Sequence, residues 1–381
     1  MELEAHANTP FGEARRTQGP HGYVAYFPAP IPRALDLPAS TVRLLADAEA
    51  ALGRLGGVGR LVPNPDLLIR PYLLREALSS TRIEGTRAEM ADVFEADAGA
   101  GTPNADVEEV VNYIGAMEWG LNRLEQLPLS TRLVCEMHGR LLDGVRGRDL
   151  SPGEMRTSQN WIGAPGTTID TAQFVPPPPV ELPSLLADWE LFAHEEPEVP
   201  LLIQNALLHS QFETIHPFLD GNGRLGRLLL IFFLVIRGRL GAPLLYLSAH
   251  LERNRQDYYE ALQAIRETGD PIPWIDLFLT AVESQADDAV HRAHRIIDVR
   301  EDYLRAAVTL GTPNALALVD LICENPVVTT RSLENRLGVS RPTALRLLRR
   351  MEEQGTLQEE KSGARGQRRY VANRMRNAFQ E

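Results

Sequence analysis

The segment His216-Pro217-Phe218-Leu219-Asp220-Gly221-Asn222-Gly223-Arg224-Leu225-Gly226-Arg227 lies between two helical apolar patterns. Leu201 to Ile215 has helical spacing and delivers His216 at a helix end, where Pro217 forbids simple continuation. Gly221 and Gly223 let the backbone turn tightly and approach a ligand. A second helix is expected to begin near Asn222, with its first N–H groups unpaired and arranged as an anion cradle. Arg224 and Arg227 are three residues apart and share a face beside that cradle, where two guanidinium forks can grip a di- or triphosphate. Asp220 suits Mg²⁺, which takes one or two carboxylates together with phosphate oxygens. His216 has the side chain for a general base near neutral pH.

The rest of the chain must bury a helix of unusual polarity. Leu228 to Ile236 is apolar on every side, as a helix at the centre of a bundle would be. At nine residues this longest apolar run is far short of the ~20 that span a bilayer. Further helices are expected at 40–55, from Pro71 to about Ser80, and at about 106–125, 130–143, 182–194, 199–214 and 274–310. The prolines of Tyr26 to Pro32 favour extended backbone. Ser151 to Pro179, rich in Gly and Pro, reads as a long hairpin or flap with short strands around Trp161-Ile162 and Thr167 to Ile169.

Of 381 residues, 44% are hydrophobic and 24% charged, the balance of a water-soluble globular chain. The first twenty residues carry no apolar signal-peptide core, and two distant cysteines make no disulfide framework. A cytoplasmic location is therefore expected, with no membrane partner. The net charge of −12 is uneven. Arg331 to Arg376 holds 12 basic and 5 acidic residues, about +7, which leaves −19 elsewhere. Gly311-Thr312-Pro313 marks a boundary. Beyond it, a helix at 316–323 precedes Ser332 to Pro342, whose helix–Gly-Val-Ser–helix spacing reads as helix-turn-helix. Val339 and Leu345 are expected to pack its turn. The second helix, to about Gln354, carries Arg341, Arg346, Arg349 and Arg350, and a tail with Gly363 and Gly366 reads as a β-wing. DNA is a candidate partner for this module.

His216 to Arg227 resembles the signature of the Fic family, His-Pro-Phe-x-Asp/Glu-Gly-Asn-Gly-Arg-x-x-Arg, at every defined position. The likeness extends to His209–Ile215, to Pro152-Gly153-Glu154-Met155-Arg156 and to the N-terminal Pro-Ala-Pro-Ile-Pro. It implies a mainly α fold: a Fic helical bundle with a β-hairpin flap, an N-terminal helical extension and a small C-terminal winged-helix domain. The units are then 1–105, containing an inhibitory helix at about 71–86, the Fic domain at 106–310, and the winged helix at 312–381.

The resemblance also implies transfer of AMP from ATP to a Ser, Thr or Tyr hydroxyl of a target protein, or of the chain itself. His216 would take the hydroxyl proton and Asp220 would hold Mg²⁺. Asn222 and the Gly221–Gly223 amides would stabilise charge on the α-phosphate, while Arg224 and Arg227 bind the outer phosphates. Gly226 and Tyr258 fall at nucleotide-contacting positions. The flap near Ile162 to Ile169 would align the target by strand addition. Ser80-Thr81-Arg82-Ile83-Glu84-Gly85 resembles the family's inhibitory motif, Ser/Thr-x-x-x-Glu-Gly/Asn, so Glu84 would pair with Arg227 in place of the γ-phosphate. The alternatives are a de-AMPylase in which Glu84 orients water, and a DNA-binding regulator. The sequence names no target, and it leaves oligomeric state open, a homodimer among the options.

Overall fold

The computed structural model describes residues 8–18, 22–61, 66–99, 103–362 and 367–380. Strands β1 (Gly12–Arg16) and β2 (Val24–Pro28) form an antiparallel hairpin with Gly12 opposite Pro28. Extended backbone was expected at β2, whereas β1, reading Gly-Glu-Ala-Arg-Arg, has no apolar alternation that marks a strand. Five helices follow: α1 (Ala39–Leu61), α2 (Asp66–Ile83), α3 (Met90–Asp97), α4 (Ala105–Arg123) and α5 (Thr131–Leu141). After the flap come α6 (Leu182–His194), α7 (Leu201–Ile215), α8 (Asn222–Ile236), α9 (Ser248–Arg253), α10 (Arg255–Thr268) and α11 (Ile272–Thr309). The remainder is α12 (Pro313–Glu324), β3 (Val327–Val328), α13 (Thr330–Leu337), α14 (Arg341–Glu353), β4 (Gln358–Ser362), β5 (Gln367–Val371) and α15 (Asn373–Gln380).

Helix α8 lies at the centre. Its residues from Arg224 to Leu234 are all buried, because α2, α4, α5 and α7 surround it. A helix with no polar face has no stable place at a surface, so the sequence of α8 forces the bundle to close around it. Helix α2 begins at Asp66, five residues before the start expected at Pro71. Proline suits a first turn, yet here it sits inside the helix and the chain forgoes one backbone hydrogen bond.

The flap differs from its expected two-stranded form. One bridge, Ile162 with Phe174, closes it through N–H···O contacts of 2.8 and 3.1 Å. The backbone after Phe174 turns instead to the N-terminal hairpin, where Tyr26 N–H donates to the Val175 carbonyl at 2.9 Å. Ala25, Tyr26, Ala172, Phe174 and Val175 make a small second core there. The flap base is therefore fixed, while Trp161 is exposed.

The C-terminal module has the sheet order β3-β5-β4, and Gly338 ends α13 with φ 64°. Ala344, Leu347, Leu348 and Met351 form the buried face of α14, whereas Leu345 is only half-buried, a correction of helical phase. The wing glycines Gly363 and Gly366 lie outside the described residues. Helix α11, 38 residues long, ends at Thr309, just before the Gly311-Thr312-Pro313 stretch, and packs on α1 as well as on α12 and α15. The module also docks on α3. The Asn325 side-chain amide donates to the Phe94 carbonyl at 2.9 Å and to Asp97 at 3.0 Å, and Thr329 Oγ1 donates to the Ala98 carbonyl at 3.0 Å. Thr329→Val keeps the shape, leaves that buried carbonyl unpaired and removes the α13 cap that Thr329 Oγ1 provides by accepting from the Ser332 N–H at 3.0 Å. Its expected effect is a loss of about 1–3 kcal/mol in urea unfolding; an unchanged midpoint would show that neither bond contributes.

Candidate active site

Helix α7 ends in an unusual backbone turn. His216 is left-handed, with φ 48° and ψ 61°, a conformation that costs a non-glycine residue energy. Buried Arg156 holds it. Its Nε donates to the His216 carbonyl at 2.9 Å and its Nη2 to the Pro177 carbonyl at 2.6 Å, while its backbone N–H donates to the Pro217 carbonyl at 2.9 Å. One guanidinium thus ties the helix end to the base of the flap.

The loop beyond is closed by Asn222 and His138. Asn222 Oδ1 accepts from the Phe218 N–H at 2.9 Å, and Nδ2 donates to the Phe218 carbonyl at 2.8 Å. The His138 ring stacks on Phe218 with centroids 3.8 Å apart. Gly153 N–H donates to His138 Nδ1 at 2.8 Å, so the proton is on Nε2 and is donated to the Asp220 carbonyl at 2.9 Å. Burial, together with Arg224, pushes the His138 pKa down to about 4.

Gly221 then turns left-handed, with φ 78°, and α8 begins. At Gly223 a Cβ would lie 2.6 Å from Glu84 Oε1, so only glycine admits that carboxylate to the first turn of α8. Glu84 Oε1 accepts from Arg227 Nη2 at 2.8 Å. Arg227 also donates from Nε to Ser80 Oγ at 3.0 Å and from Nη2 to the Ser80 carbonyl at 2.8 Å. Burial pushes the Glu84 pKa up, but the Arg227 guanidinium outweighs it and holds the carboxyl below its ordinary value. The Ser80–Gly85 stretch therefore supplies both a carboxylate and a hydroxyl to one buried guanidinium.

Arg224 is buried beside it. Its contacts are long, 3.5 Å to Glu109 Oε2 and 3.4 Å to Asp220 Oδ1, and its Nε has no partner among the described residues. Glu109 also accepts from Thr86 Oγ1 at 2.8 Å and from Arg146 at 3.3 Å. Asp220 is about one-third exposed, with its Oδ1 accepting from the Gly221 N–H at 2.6 Å. Among the described residues no group of three His, Cys, Asp or Glu could hold a metal. A divalent ion here would depend on Asp220 together with phosphate oxygens and water, the ligand set that Mg²⁺ accepts.

His216 Nδ1 is buried, and the ring meets the Glu213 backbone carbonyl one turn earlier in α7. Burial, then the positive charges of Arg156 and Arg266, push the imidazole pKa down to about 3. The ring is thus neutral at pH 7 and able to accept a proton. One turn earlier, burial raises the Glu213 pKa to about 7, and Glu213 Oε1 also lacks a partner among the described residues.

The structure gathers His216, Asp220, Gly221, Gly223, Arg224, Arg227 and Glu84 around one helix N-terminus. Three other expected residues are engaged inside the fold, Tyr258 with its hydroxyl against Arg227. The Asn222 side chain is turned to Phe218, leaving the residue only its backbone N–H for a ligand. Gly226 faces α7, where a Cβ would lie 2.4 Å from Glu213 Oε1, and its carbonyl accepts from His209 Nδ1 at 3.1 Å; its role is helix contact. Tyr258 is core, its hydroxyl 2.9 Å from His209 Nε2 and its ring against Trp274. The exposed aromatic at this edge is its neighbour Tyr259. Sequence reasoning missed the work of Ser80, Glu109, His138 and Arg266. Arg156 carried a signal only as part of the stretch Pro152–Arg156.

These features agree with the likeness of the chain to known proteins. Residues 42–122 match the Fic/DOC family N-terminal profile, 128–234 the Fic/DOC family, and 312–358 the winged helix-turn-helix DNA-binding profile. The chain belongs to the Fic/DOC family and carries a C-terminal winged helix. A probable protein adenylyltransferase of Aquifex aeolicus is 38% identical over 96 residues, 25% of this chain and 28% of that protein. The protein adenylyltransferase Fic of Drosophila grimshawi is 30% identical over 166 residues, 43% of this chain and 31% of that protein. The chain thus spans under a third of the length of these relatives. The crystal structure of a Fic family protein from Desulfovibrio desulfuricans shares the fold, with a TM-score of 0.59 and 22% identity over 89% of this chain and 97% of that one.

The neutral histidines set a pH dependence. His138, His209 and His216 have folded pKa values pushed, chiefly by burial, to about 4, 3 and 3, below the ordinary 6.5. The unfolded chain therefore binds more protons, and stability falls as pH drops below about 6.5. Each imidazole removes up to about 2 kcal/mol by pH 5. Glu213, Glu76 and Glu118, whose pKa values burial raises, act in the opposite sense, while His250, lowered by burial, adds to the three imidazoles. Urea unfolding free energy should decline from pH 7 to pH 5, above the range where ordinary carboxylates titrate. A flat profile across that window would contradict the buried neutral imidazoles.

Proposed function

We propose that this chain is a protein adenylyltransferase that transfers AMP from ATP to a Ser, Thr or Tyr hydroxyl, and that Glu84 holds it off. The observation that carries the reading is the neutral His216 imidazole at the mouth of an α8 N-terminus bearing two buried guanidiniums. The names of the relatives support the same activity.

His216 accepts the proton of the target hydroxyl as its oxygen attacks the α-phosphorus. An O–P bond forms, the bond from the α-phosphorus to the bridging oxygen breaks, and pyrophosphate leaves. The backbone N–H groups of the Gly221–Gly223 turn face the charge that develops, and Arg224 and Arg227 bind the outer phosphates. Asp220 is the residue that would hold Mg²⁺, which when bound neutralises phosphate charge. The exposed backbone between Trp161 and Thr171 suits alignment of an extended target segment.

In this reading the γ-phosphate and the Glu84 carboxylate compete for Arg227. Glu84→Gly should raise incorporation of labelled AMP into target or self by about tenfold or more, the consequence of freeing one charge-assisted contact. Glu84→Gly with His216→Ala should remove it. Transfer that survives loss of His216, or a rate unchanged in Glu84→Gly, would defeat the proposal.

A second activity is favoured by α14. Arg341, Arg346, Arg349 and Arg350 are all exposed, and none has a carboxylate partner among the described residues. A helix of that charge suits the DNA major groove, with the wing on the phosphates. Binding of mixed duplexes by the full chain should weaken steeply as salt rises, and Arg346→Ala with Arg349→Ala should weaken it at every salt concentration. Absence of binding at low salt would leave α14 as a protein-docking face.

A further inference from the structure

Helix α2 has two working faces. Ser80 and Glu84 lie on the side of Arg227, while Arg75, Leu78, Ser79 and Arg82 share the opposite side at helical spacing. That opposite side forms one wall of a cleft of about 700 Å³, whose other walls come from the start of α3, α9, α11 and the end of α15. The volume is that of a small-molecule site.

Its lining carries four arginines, Arg75, Arg82, Arg253 and Arg292, against three acids, Glu89, Glu252 and Asp288, and the pairing is uneven. Asp288 serves Arg292, with contacts of 3.2 Å, and exposed Glu89 serves Arg82 at 3.3 Å. Arg75 and Arg253 meet no carboxylate among the described residues. Arg75 lies over the Tyr246 ring, 5.0 Å from its centroid, and makes only long contacts, 3.4 and 3.3 Å, to the carbonyls of Phe379 and Gln380. Arg253 has only the Ala249 carbonyl of its own helix, at 3.1 Å. Burial pushes the Arg75 pKa down, and Arg292 and Arg253 push it the same way against Tyr246 and Asp288. On the same wall Gln285 is buried and its Oε1 has no partner among the described residues.

Two guanidiniums on neighbouring walls of a cleft, neither with a carboxylate partner among the described residues, form a place that a compact anion completes. The geometry points to a regulatory site for a small phosphate-bearing anion, gripped by Arg75 and Arg253, on the back of the inhibitory helix. Such an anion bridges α2 to α9 and α11 while α2 holds Glu84 on Arg227. It therefore binds the inhibited arrangement best and stabilises it. This last step rests on the proposed transferase activity; binding itself does not.

The test uses the full chain with inorganic phosphate at constant ionic strength. Phosphate should raise the unfolding temperature of the wild type saturably. Arg253→Gln changes an exposed side chain outside the catalytic machinery, and Arg75→Gln with Arg253→Gln removes both forks. Each should weaken phosphate binding, the double variant by about tenfold or more. A tungstate-soaked crystal should place the anion between Arg75 and Arg253. Equal binding by wild type and Arg253→Gln, or tungstate found only at the α8 N-terminus, overturns the site. In the labelled-ATP assay, phosphate should depress transfer by the wild type more than by Arg253→Gln. If the variants bind differently but no variant transfers AMP, the transferase reading fails and the anion site stands; equal depression in both overturns the regulatory role.

Discussion

The architecture turns on one ion pair, Glu84 with Arg227, made above a glycine. Arg227 lies on α8 and is almost wholly buried, so its charge must be answered from inside the fold. Breaking a buried pair by removing one partner typically costs about 3–5 kcal/mol. The answering group comes from the end of α2, and α2 is itself rooted in the core. Buried Glu76 accepts from the Ser248 N–H at 3.0 Å and the Tyr113 hydroxyl at 3.1 Å, with the Ser248 hydroxyl as a third donor. Helix α2 is therefore anchored at Glu76 as well as at Glu84. Gly223 leaves open the space above the first turn of α8 that the Glu84 carboxylate occupies.

The second constraint is the turn at His216. A left-handed residue at a helix end exposes carbonyls, and Arg156 collects them. His138 and Asn222 then fix the loop that follows. Three polar side chains thus form a frame around an imidazole that two guanidiniums and burial keep neutral. A neutral imidazole can receive a proton. The frame also explains why the flap needs little sheet of its own: Arg156 and the β1–β2 hairpin already fix its base.

How much of this was legible in the sequence depends on how local the information is. The apolar run at 228–236 foretold a central helix, since no other placement buries it. Glycines 221 and 223 foretold the turn that opens α8, because its geometry is set within a few residues. Glu84 was legible through its motif, although its partner lies 143 residues away. What escaped were choices made by tertiary contact. Asn222 and a loop amide are four residues apart, yet nothing local says that the side chain turns inward. Glu109 reads as one of several acids in the first half of a helix until Arg224 packs against it. Tyr258 was ambiguous because an aromatic at helical spacing serves core and ligand equally, and here His209 and Trp274 decide for the core. Strand β1 has a sequence that pairing alone makes extended.

The central claim is that Glu84 and a nucleotide's terminal phosphate contend for one guanidinium, and that this contest sets where the α-phosphorus lies. Crystals of wild type and Glu84→Gly, each with a non-hydrolysable ATP analogue and Mg²⁺, test it most directly. The account predicts that in Glu84→Gly the γ-phosphate rests on Arg227 and the α-phosphorus faces His216, while in the wild type the triphosphate is displaced. The same triphosphate pose in both proteins, or a γ-phosphate that never meets Arg227, would contradict it.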